Sequence, residues 1–214
     1  MKSILILIIF FPTLAFAQQS SHWPTTVDEA VNILVANLDE KGKITITQTI
    51  EENLVMYNTF WGGGIRNDFG LWRGNKELLA SCGSTDIHPD SASMVIIKSV
   101  WKKLREDLAP EKKLEYEKIE NAIRKVSVPS CDSECHTVEN AIVHVNNAIK
   151  STDTGLSGFE IILDTSIDSS KPIKLLLRKT TKLNFVVGMI EFRAWGVASY
   201  DYPKIVIKPG RTLN

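Results

Sequence analysis

The sequence lacks an excess of charge of either sign. It has 25 basic and 25 acidic residues, and a balanced chain has no electrostatic reason to bind nucleic acid or anionic lipid. It also lacks a second long apolar run, because no stretch beyond the N-terminus approaches the ~20 residues that a membrane helix needs. We therefore expect no nucleic-acid partner and no integral membrane segment in the mature protein.

Signatures of catalysis are missing too. The chain contains no G-x-S-x-G and no H-E-x-x-H, and the S-x-x-K tetrapeptide at Ser99–Lys102 is accompanied by neither S-D-N nor K-T-G. Its four histidines are scattered along the chain. The sequence thus predicts no catalytic residue and no cofactor. Whether the protein is an enzyme stays open at this point, and the missing motifs favour a negative answer.

The N-terminus has the features of an export signal. Lys2 supplies a positive charge, an apolar run extends from Ile4 to Phe11, and Ala15-Phe16-Ala17 is a small-x-small cleavage site. We expect a signal peptide over residues 1–17, cleaved after Ala17. The mature protein is then expected to be soluble and either periplasmic or secreted.

Residues 22–108 have the pattern of a mainly helical domain. In TTVDEAVNILVANLDEKGK the apolar residues recur at helical spacing, and Thr26 and Glu29 have the spacing of a capping box. A second helical stretch, IEENLVMYNTFW, is expected to end at the three glycines 62–64. The charged segment at 109–122 predicts a connecting helix with a solvated surface.

Residues 123–209 combine helix and strand patterns in a second domain. TVENAIVHVNNAIK and LNFVVGMIEFRAWG place apolar residues on one helical face, whereas FEIILD, PIKLLLRK and SYDYPKIVIKP have the character of strands. This order predicts a small sheet with two helices on one face. The fold class is therefore α+β, with a mainly helical N-terminal domain followed by a small β-α-β-β-α-β domain.

The second domain resembles a known docking module. VPSCDSECHTVENAIVHVNNAI, with a helix that begins at Thr137-Val138, and PIKLLLRKTTKLNFVVGMI are similar to the secretin and TonB short N-terminal domain. The resemblance implies non-enzymatic docking or scaffolding with an envelope protein. The chain is too short for a secretin ring, so we expect docking without transport. The expected contact surface is a sheet edge and the turn that bears Arg178, Lys179 and Lys182.

The first domain resembles an uncharacterised bacterial domain of exported proteins, through Trp23-Pro24 ahead of Glu29-Ala30-Val31, IRNDFGLWRGN, and HPDSAS before the Trp101 helix. That resemblance implies no activity. Aromatics grouped with arginine are typical of binding hot spots, but large aromatics are also mostly buried in cores. The alternative function is therefore an enzyme or small-ligand binder with a site near residues 62–75. Its candidate residues are Trp61, Arg66, Asn67, Phe69, Trp72 and Asn75.

CDSECH, residues 131–136, admits several interpretations. Covalent haem attachment normally has two residues between the cysteines, whereas here there are three. A haem or redox carrier that uses Cys131, Cys135 and His136 is the third alternative function. An oxidising compartment favours a disulfide instead. Cys131 has Cys135 and Cys82 as candidate partners, and we favour Cys135 because the short loop closes easily. We predict no metal site.

Overall fold

The structure is a computed structural model that describes residues 23–131, 135–173, 175, 177–194 and 196–209. The expected signal peptide, residues 1–17, lies outside these ranges. Within them, no helix combines the length and the apolar character needed to cross a bilayer.

The first region is helical, as its periodicity predicts. Its elements are α1 Val27–Asn37, α2 Glu40–Gln48, a 3₁₀ helix Glu51–Asn58, α3 Trp61–Asp68, a 3₁₀ turn Leu71–Arg73, α4 Lys76–Ser81 and α5 Pro89–Glu106. The Thr26 cap is confirmed, since its hydroxyl accepts a hydrogen bond from the Glu29 amide at 3.2 Å. The Glu29 carboxylate accepts from the Thr25 amide at 2.7 Å, so the second half of the capping box forms one residue earlier than expected.

The three glycines at 62–64 lie inside α3 and do not end a helix, so that expectation was wrong. Gly62 is buried, and a Cβ there would come within 2.5 Å of Asn58 Oδ1 and 3.0 Å of an Arg66 Nη. Glycine at this position therefore leaves room for polar side chains that pack against the helix. Composition alone could not show this, because glycine inside a helix costs about 1 kcal/mol relative to alanine and usually indicates a break.

α5 is the central helix of the first region. It packs against α1, α2, α3 and the 3₁₀ helix. The first core, which these elements enclose, consists of buried apolar residues: Ala30, Val31, Ile46, Leu54, Ile65, Phe69, Leu71, Leu78, Leu79, Cys82, Ala92, Ile96, Ile97, Val100, Trp101 and Leu104.

The second region contains helices and short strands, which confirms the α+β class. Its elements are α6 Pro110–Lys125, β1 Ser127–Val128, α7 Val138–Lys150, β2 Ile161–Leu163, β3 Thr181–Lys182, α8 Leu183–Ala194, β4 Gly196–Asp201 and β5 Lys204–Pro209. β1 pairs antiparallel with β3. In the other sheet, of order β2-β5-β4, β2 is parallel to β5 and β4 is antiparallel to it.

The strands described here are thus divided between two sheets, where the sequence predicts one. The segment predicted as a strand from PIKLLLRK makes two isolated bridges, Thr137 with Pro172 and Cys131 with Leu177. Residues 174 and 176 lie outside the described ranges. These bridges hold the segment beside the start of α7, and its described residues contribute to the second core without belonging to a strand of either sheet.

Helix α6 has a charged face and a buried face. Ile119, Ala122 and Ile123 are fully buried in the second core, while most other positions of the helix are exposed. The second core also contains Ile50 from the first region. α6 therefore packs as part of the second region, and the solvated surface predicted for residues 109–122 is present only on its outer side.

The two regions meet where α2 packs against β4 and where the 3₁₀ helix packs on α8. Asn53 Nδ2 donates a hydrogen bond to the Asn184 carbonyl at 3.1 Å. Beside it, Gly188 allows a close approach of Met56, since a Cβ at Gly188 would lie 2.8 Å from the Met56 sulfur. The junction is a packed contact between backbone and side chains of both regions.

Candidate functional site

Arg66 is the centre of a polar cluster between α3, α5 and the 3₁₀ helix. One Nη donates to Asn58 O at 3.1 Å, Asn58 Oδ1 at 3.0 Å and Ser93 Oγ at 2.9 Å. Arg66 Nε lies 3.1 Å from a carboxylate oxygen of Asp90. The Ser93 hydroxyl is fully buried. Because these donors are engaged inside the molecule, the cluster is suited to holding the three elements together.

The other five residues of the predicted binding set divide between core and surface. Phe69 and Asn75 are buried, and Asn75 Nδ2 donates to the carbonyls of Pro24 and Phe69 at 2.9 Å each. Trp61 is partly buried, with its ring edge-on to Tyr57 at a centroid distance of 6.4 Å. Asn67 and Trp72 are exposed.

Two ring contacts that the sequence did not predict lie at this surface. The Trp72 indole is edge-on to the His88 imidazole, with centroids 5.4 Å apart. The Arg73 guanidinium lies 4.8 Å from the centroid of the Trp23 ring, within the range of a cation–π contact. His88 also accepts a hydrogen bond from the Asp90 amide at 3.2 Å and so caps α5. The His-Pro-Asp sequence at the helix start was the available signal for this cap.

The two cysteines of CDSECH form a disulfide, and the backbone of each is hydrogen-bonded to a neighbouring segment. Cys131 and Cys135 are disulfide-bonded, with Cα atoms 6.1 Å apart, and both are buried. The Cys131 amide donates to Leu177 O at 2.9 Å and its carbonyl accepts from Leu177 N at 3.0 Å. The Cys135 carbonyl accepts from Leu175 N at 3.3 Å.

The histidine that lies beside this disulfide is His144. A ring nitrogen of His144 and the two sulfurs all lie within 4.8 Å of one another, whereas the imidazole of His136, the histidine of the motif, belongs to an exposed residue. His144 lies on α7, which packs so that this side chain is next to the two cysteines. Sequence spacing missed it because His144 is not adjacent to the motif.

The third cysteine, Cys82, is a buried free thiol in the first core. Its sulfur lies 3.7 Å from the Ala92 carbonyl. Burial raises the pKa of the Cys82 thiol to about 11, because desolvation penalises the thiolate. The thiolate is the reactive form, so Cys82 is an inert core residue at neutral pH.

The predicted docking turn is exposed and basic. Arg178, Lys179 and Lys182 all face solvent. Lys182 Nζ lies 3.4 Å from the Ser127 hydroxyl, and none of the three has a carboxylate within salt-bridge distance among the residues that the structure describes. Among the described residues, the turn is therefore a local concentration of positive charge without an ion-pair partner.

An open groove of about 300 Å³ lies between the end of α5 and the start of α6, and the sequence did not predict it. Its lining residues are Trp101, Lys102, Arg105, Glu106, Leu108, Lys113, Tyr116 and Glu117. The Arg105 guanidinium lies 4.4 Å from the Trp101 ring centroid and 5.3 Å from that of Tyr116. Arg105 also donates from Nε to Thr47 O at 3.0 Å. The groove thus has an aromatic wall whose arginine is engaged in contacts that join helices.

Glu191 on α8 is a partly buried carboxyl at the edge of β4. Its Oε1 accepts a hydrogen bond from the Ala198 amide at 2.6 Å. Burial raises the pKa of Glu191 to about 7, against the opposing effect of that hydrogen bond. Nearby, burial raises the pKa of the Tyr57 hydroxyl to about 12, and the charge of Glu191 adds to the increase. Glu191 is therefore a carboxyl that titrates near neutral pH.

Comparison with known proteins adds one family match. Residues 23–104 match a domain of unknown function, DUF6794. This confirms that the N-terminal half carries a domain without an assigned activity. No curated protein matches the chain. No solved structure matches it either. The resemblance of residues 123–209 to the secretin and TonB short domain stays a prediction.

Proposed function

We propose that the protein is exported and acts as a non-enzymatic docking protein of the bacterial envelope, with the turn of Arg178, Lys179 and Lys182 bound to an acidic surface of a partner protein. The observation that carries the proposal is the group of three exposed cations without a carboxylate partner in the described part of the chain. Such a patch steers and orients a partner of opposite charge.

The backbone on both sides of the turn supports this role. On one side, Leu177 exchanges two hydrogen bonds with Cys131, at 2.9 and 3.0 Å. On the other side, Thr181 and Lys182 pair with Val128 and Ser127 in the β1–β3 sheet. A turn fixed at both ends loses little conformational entropy on binding, which favours its use as a contact surface.

The contacts of Arg66 and Asn75 favour docking over a ligand site near residues 62–75. Both side chains are engaged within the molecule, so a ligand would have to compete with existing hydrogen bonds. The disulfide between Cys131 and Cys135 likewise leaves no thiol at CDSECH for thioether attachment of haem while the bond is intact.

Capture of the tagged mature protein from envelopes of its own host, followed by mass spectrometry, tests the docking proposal. The informative variant is Arg178→Glu/Lys179→Glu/Lys182→Glu. Its matched control, Lys41→Glu/Lys76→Glu/Lys150→Glu, makes the same change of charge at three exposed lysines elsewhere. We expect a reproducible partner with the wild type and the control, loss of that partner with the first variant, and weaker capture as salt increases.

Two results would overturn docking through this turn. One is equal capture by both variants. The other is no partner at all under conditions that recover a known envelope pair. Export is tested separately by the intact mass of the protein in each cell fraction. Protein that begins at Gln18 outside the cytoplasm supports export, and full-length protein confined to the cytoplasm contradicts it.

A further inference from the structure

Three side chains of the metal-ligating type lie together at the edge of the second core, next to the backbone that anchors the docking turn. They are Cys131, Cys135 and His144, whose two sulfurs and one ring nitrogen are all within 4.8 Å of one another. Two sulfurs and one imidazole nitrogen form a donor set that suits Zn²⁺ and other thiophilic ions. With the disulfide intact, the sulfurs cannot act as thiolate ligands.

We propose that reduction of the Cys131–Cys135 disulfide creates a binding site for a thiophilic metal ion, specifically Zn²⁺. The two cysteine thiolates and His144 are its three protein ligands. The reductant is a dithiol, which is oxidised to its own disulfide while two electrons and two protons pass to the two sulfurs. Metal binding then releases those two protons, because the ligands are thiolates.

Backbone hydrogen bonds anchor both cysteines to a neighbouring segment in addition to the disulfide. Cys131 is fixed to Leu177 through two hydrogen bonds, and Cys135 is fixed to Leu175 through one. These contacts keep the two Cα atoms near their present separation of 6.1 Å after reduction. Tetrahedral Zn²⁺ with Zn–S distances of about 2.3 Å needs its two sulfurs roughly 3.8 Å apart. Rotation of the cysteine side chains can supply that separation.

The hydrogen bond of His144 sets the ring in the form that binds metals. His144 Nε2 lies 3.2 Å from the Pro129 carbonyl oxygen. Because a carbonyl oxygen only accepts, Nε2 must carry the hydrogen, and in the neutral ring the lone pair is then on Nδ1. Metal-ligating histidines characteristically donate their other N–H to a carbonyl or carboxylate in this way. The contact with Pro129 thus leaves Nδ1 as the ring nitrogen that is available to a metal ion.

The proposed site differs from an exposed pair of thiols in the solvent exposure of its ligands. Cys131 and Cys135 are 3% and 1% exposed, whereas His144 is only partly buried. The two sulfurs are therefore largely shielded from solvent, whereas the His144 residue is partly open to it. With three protein ligands the fourth position of a tetrahedral ion is left for water, as at catalytic zinc sites.

The test uses the folded full-length mature protein, reduced with a water-soluble phosphine that is then removed without oxygen. Zn²⁺ is titrated against a competing colorimetric chelator, with Mg²⁺ as the ion that should not bind. We expect one Zn²⁺ per reduced chain, about two protons released per ion at pH 7, and none bound by the oxidised protein. His144→Gln should weaken binding at least about tenfold. His136→Gln is the matched control and should leave it unchanged.

X-ray absorption at the zinc edge of the wild type keeps the test independent of the folding of any variant. Two sulfurs at about 2.3 Å and a nitrogen at about 2.0 Å are the expected shell. The proposal is overturned by a shell without sulfur, by equal Zn²⁺ uptake in the oxidised protein, or by no uptake on reduction. It is also overturned if His136→Gln, rather than His144→Gln, is the variant that weakens binding. No residue of the docking turn is substituted in these samples, and zinc uptake and partner capture are measured separately, so either proposal can fail alone.

Discussion

Arg105 at the end of α5 forms an ion pair with Glu120 on α6, with Nη2 and Oε1 2.5 Å apart. The other Glu120 oxygen lies 3.3 Å from Arg124, which in turn pairs with Glu52 at 2.8 Å. Four charges of alternating sign therefore link α5, α6 and the 3₁₀ helix. Glu52 lies within residues 23–104, the segment that matches DUF6794, and Arg124 lies outside it, so this network joins the matched segment to the rest of the chain through the Arg124–Glu52 pair.

Breaking this pair should destabilise the protein substantially. The side chains of Arg105 and Glu120 are 15% and 7% exposed, so Glu120→Ala leaves a poorly solvated guanidinium without its counterion. We expect a loss on the order of 3 kcal/mol in the free energy of unfolding, measured by urea denaturation. Glu115→Ala removes the more exposed pair with Lys112 on the same helix and should cost about 0.5 kcal/mol. Equal losses of stability in the two variants would contradict the prediction that the buried ion pair contributes more than the exposed one.

Two glycines with left-handed backbones provide a matched comparison. Gly70 has φ +68°, and a Cβ there would lie 2.6 Å from the Trp23 ring, while Gly74 has φ +80° and open space around it. Gly74→Ala should cost about 1 kcal/mol from backbone strain alone. Gly70→Ala adds a steric overlap in a packed region, for a total on the order of 3 kcal/mol. Thermal unfolding of the two variants measures the difference. If they lose the same stability, Trp23 is not packed on Gly70 in solution.

Asn146 on α7 satisfies one edge of β2. Its Nδ2 donates to Ile161 O and its Oδ1 accepts from Ile161 N, both at 2.8 Å. Asn146→Ala leaves both backbone groups without these partners, and we expect a loss of about 2 kcal/mol. The Ile161 amide should also exchange its hydrogen faster by NMR. Asn147→Ala, at the exposed neighbouring position, should change stability by less than about 0.5 kcal/mol. An unchanged exchange rate at Ile161 would refute the role of Asn146.

Glu191 should make the stability fall as the pH rises. Its pKa is about 7 in the folded protein against 4.5 for the ordinary group, so between these values the folded state binds a proton that the unfolded state has lost. The contribution of this proton to the free energy of unfolding is fully present below pH 4.5 and is lost as the pH rises through 7. Each pKa unit corresponds to about 1.4 kcal/mol.

Glu191→Gln isolates this effect. Glutamine keeps an oxygen that accepts from the Ala198 amide and carries no charge, so the variant should be more stable than the wild type at pH 8. At pH 5 the two should be similar. Urea denaturation at both pH values is the measurement, with Glu160→Gln, at an exposed pair with Lys204, as the control. A wild type and Glu191→Gln variant with parallel pH profiles would show that Glu191 does not titrate near neutrality.

Local sequence signals predicted much of the first region because they act within one turn of a helix. Thr26 caps α1, and Pro89 lies in the first turn of α5, both where short-range preferences place them. The glycines at 62–64 show where such signals fail. These residues are helical, and Gly62 leaves the space that the Asn58 and Arg66 side chains occupy. That requirement comes from tertiary packing and has no signal in the local composition.

The second region depends more on contacts between residues distant in sequence. The periodicity of α7 places Val138, Ile142, Val145 and Ile149 on one face, and all four are buried. Periodicity does not show which element lies beside each polar position of the helix. Asn146 meets β2 and His144 meets the cysteines, and neither contact has a local signature.

By itself, the sequence determined the class of the fold, the starts of α1 and α5 and the absence of an overall charge, because each follows from composition or from spacing within a few residues. Only the tertiary structure decided that α6 buries one face in the second core, that Arg105 meets Glu120, and that His144 rather than His136 lies beside the disulfide. These are contacts between elements. The packing of whole helices and strands sets them, and spacing along the chain does not encode which side chains then meet.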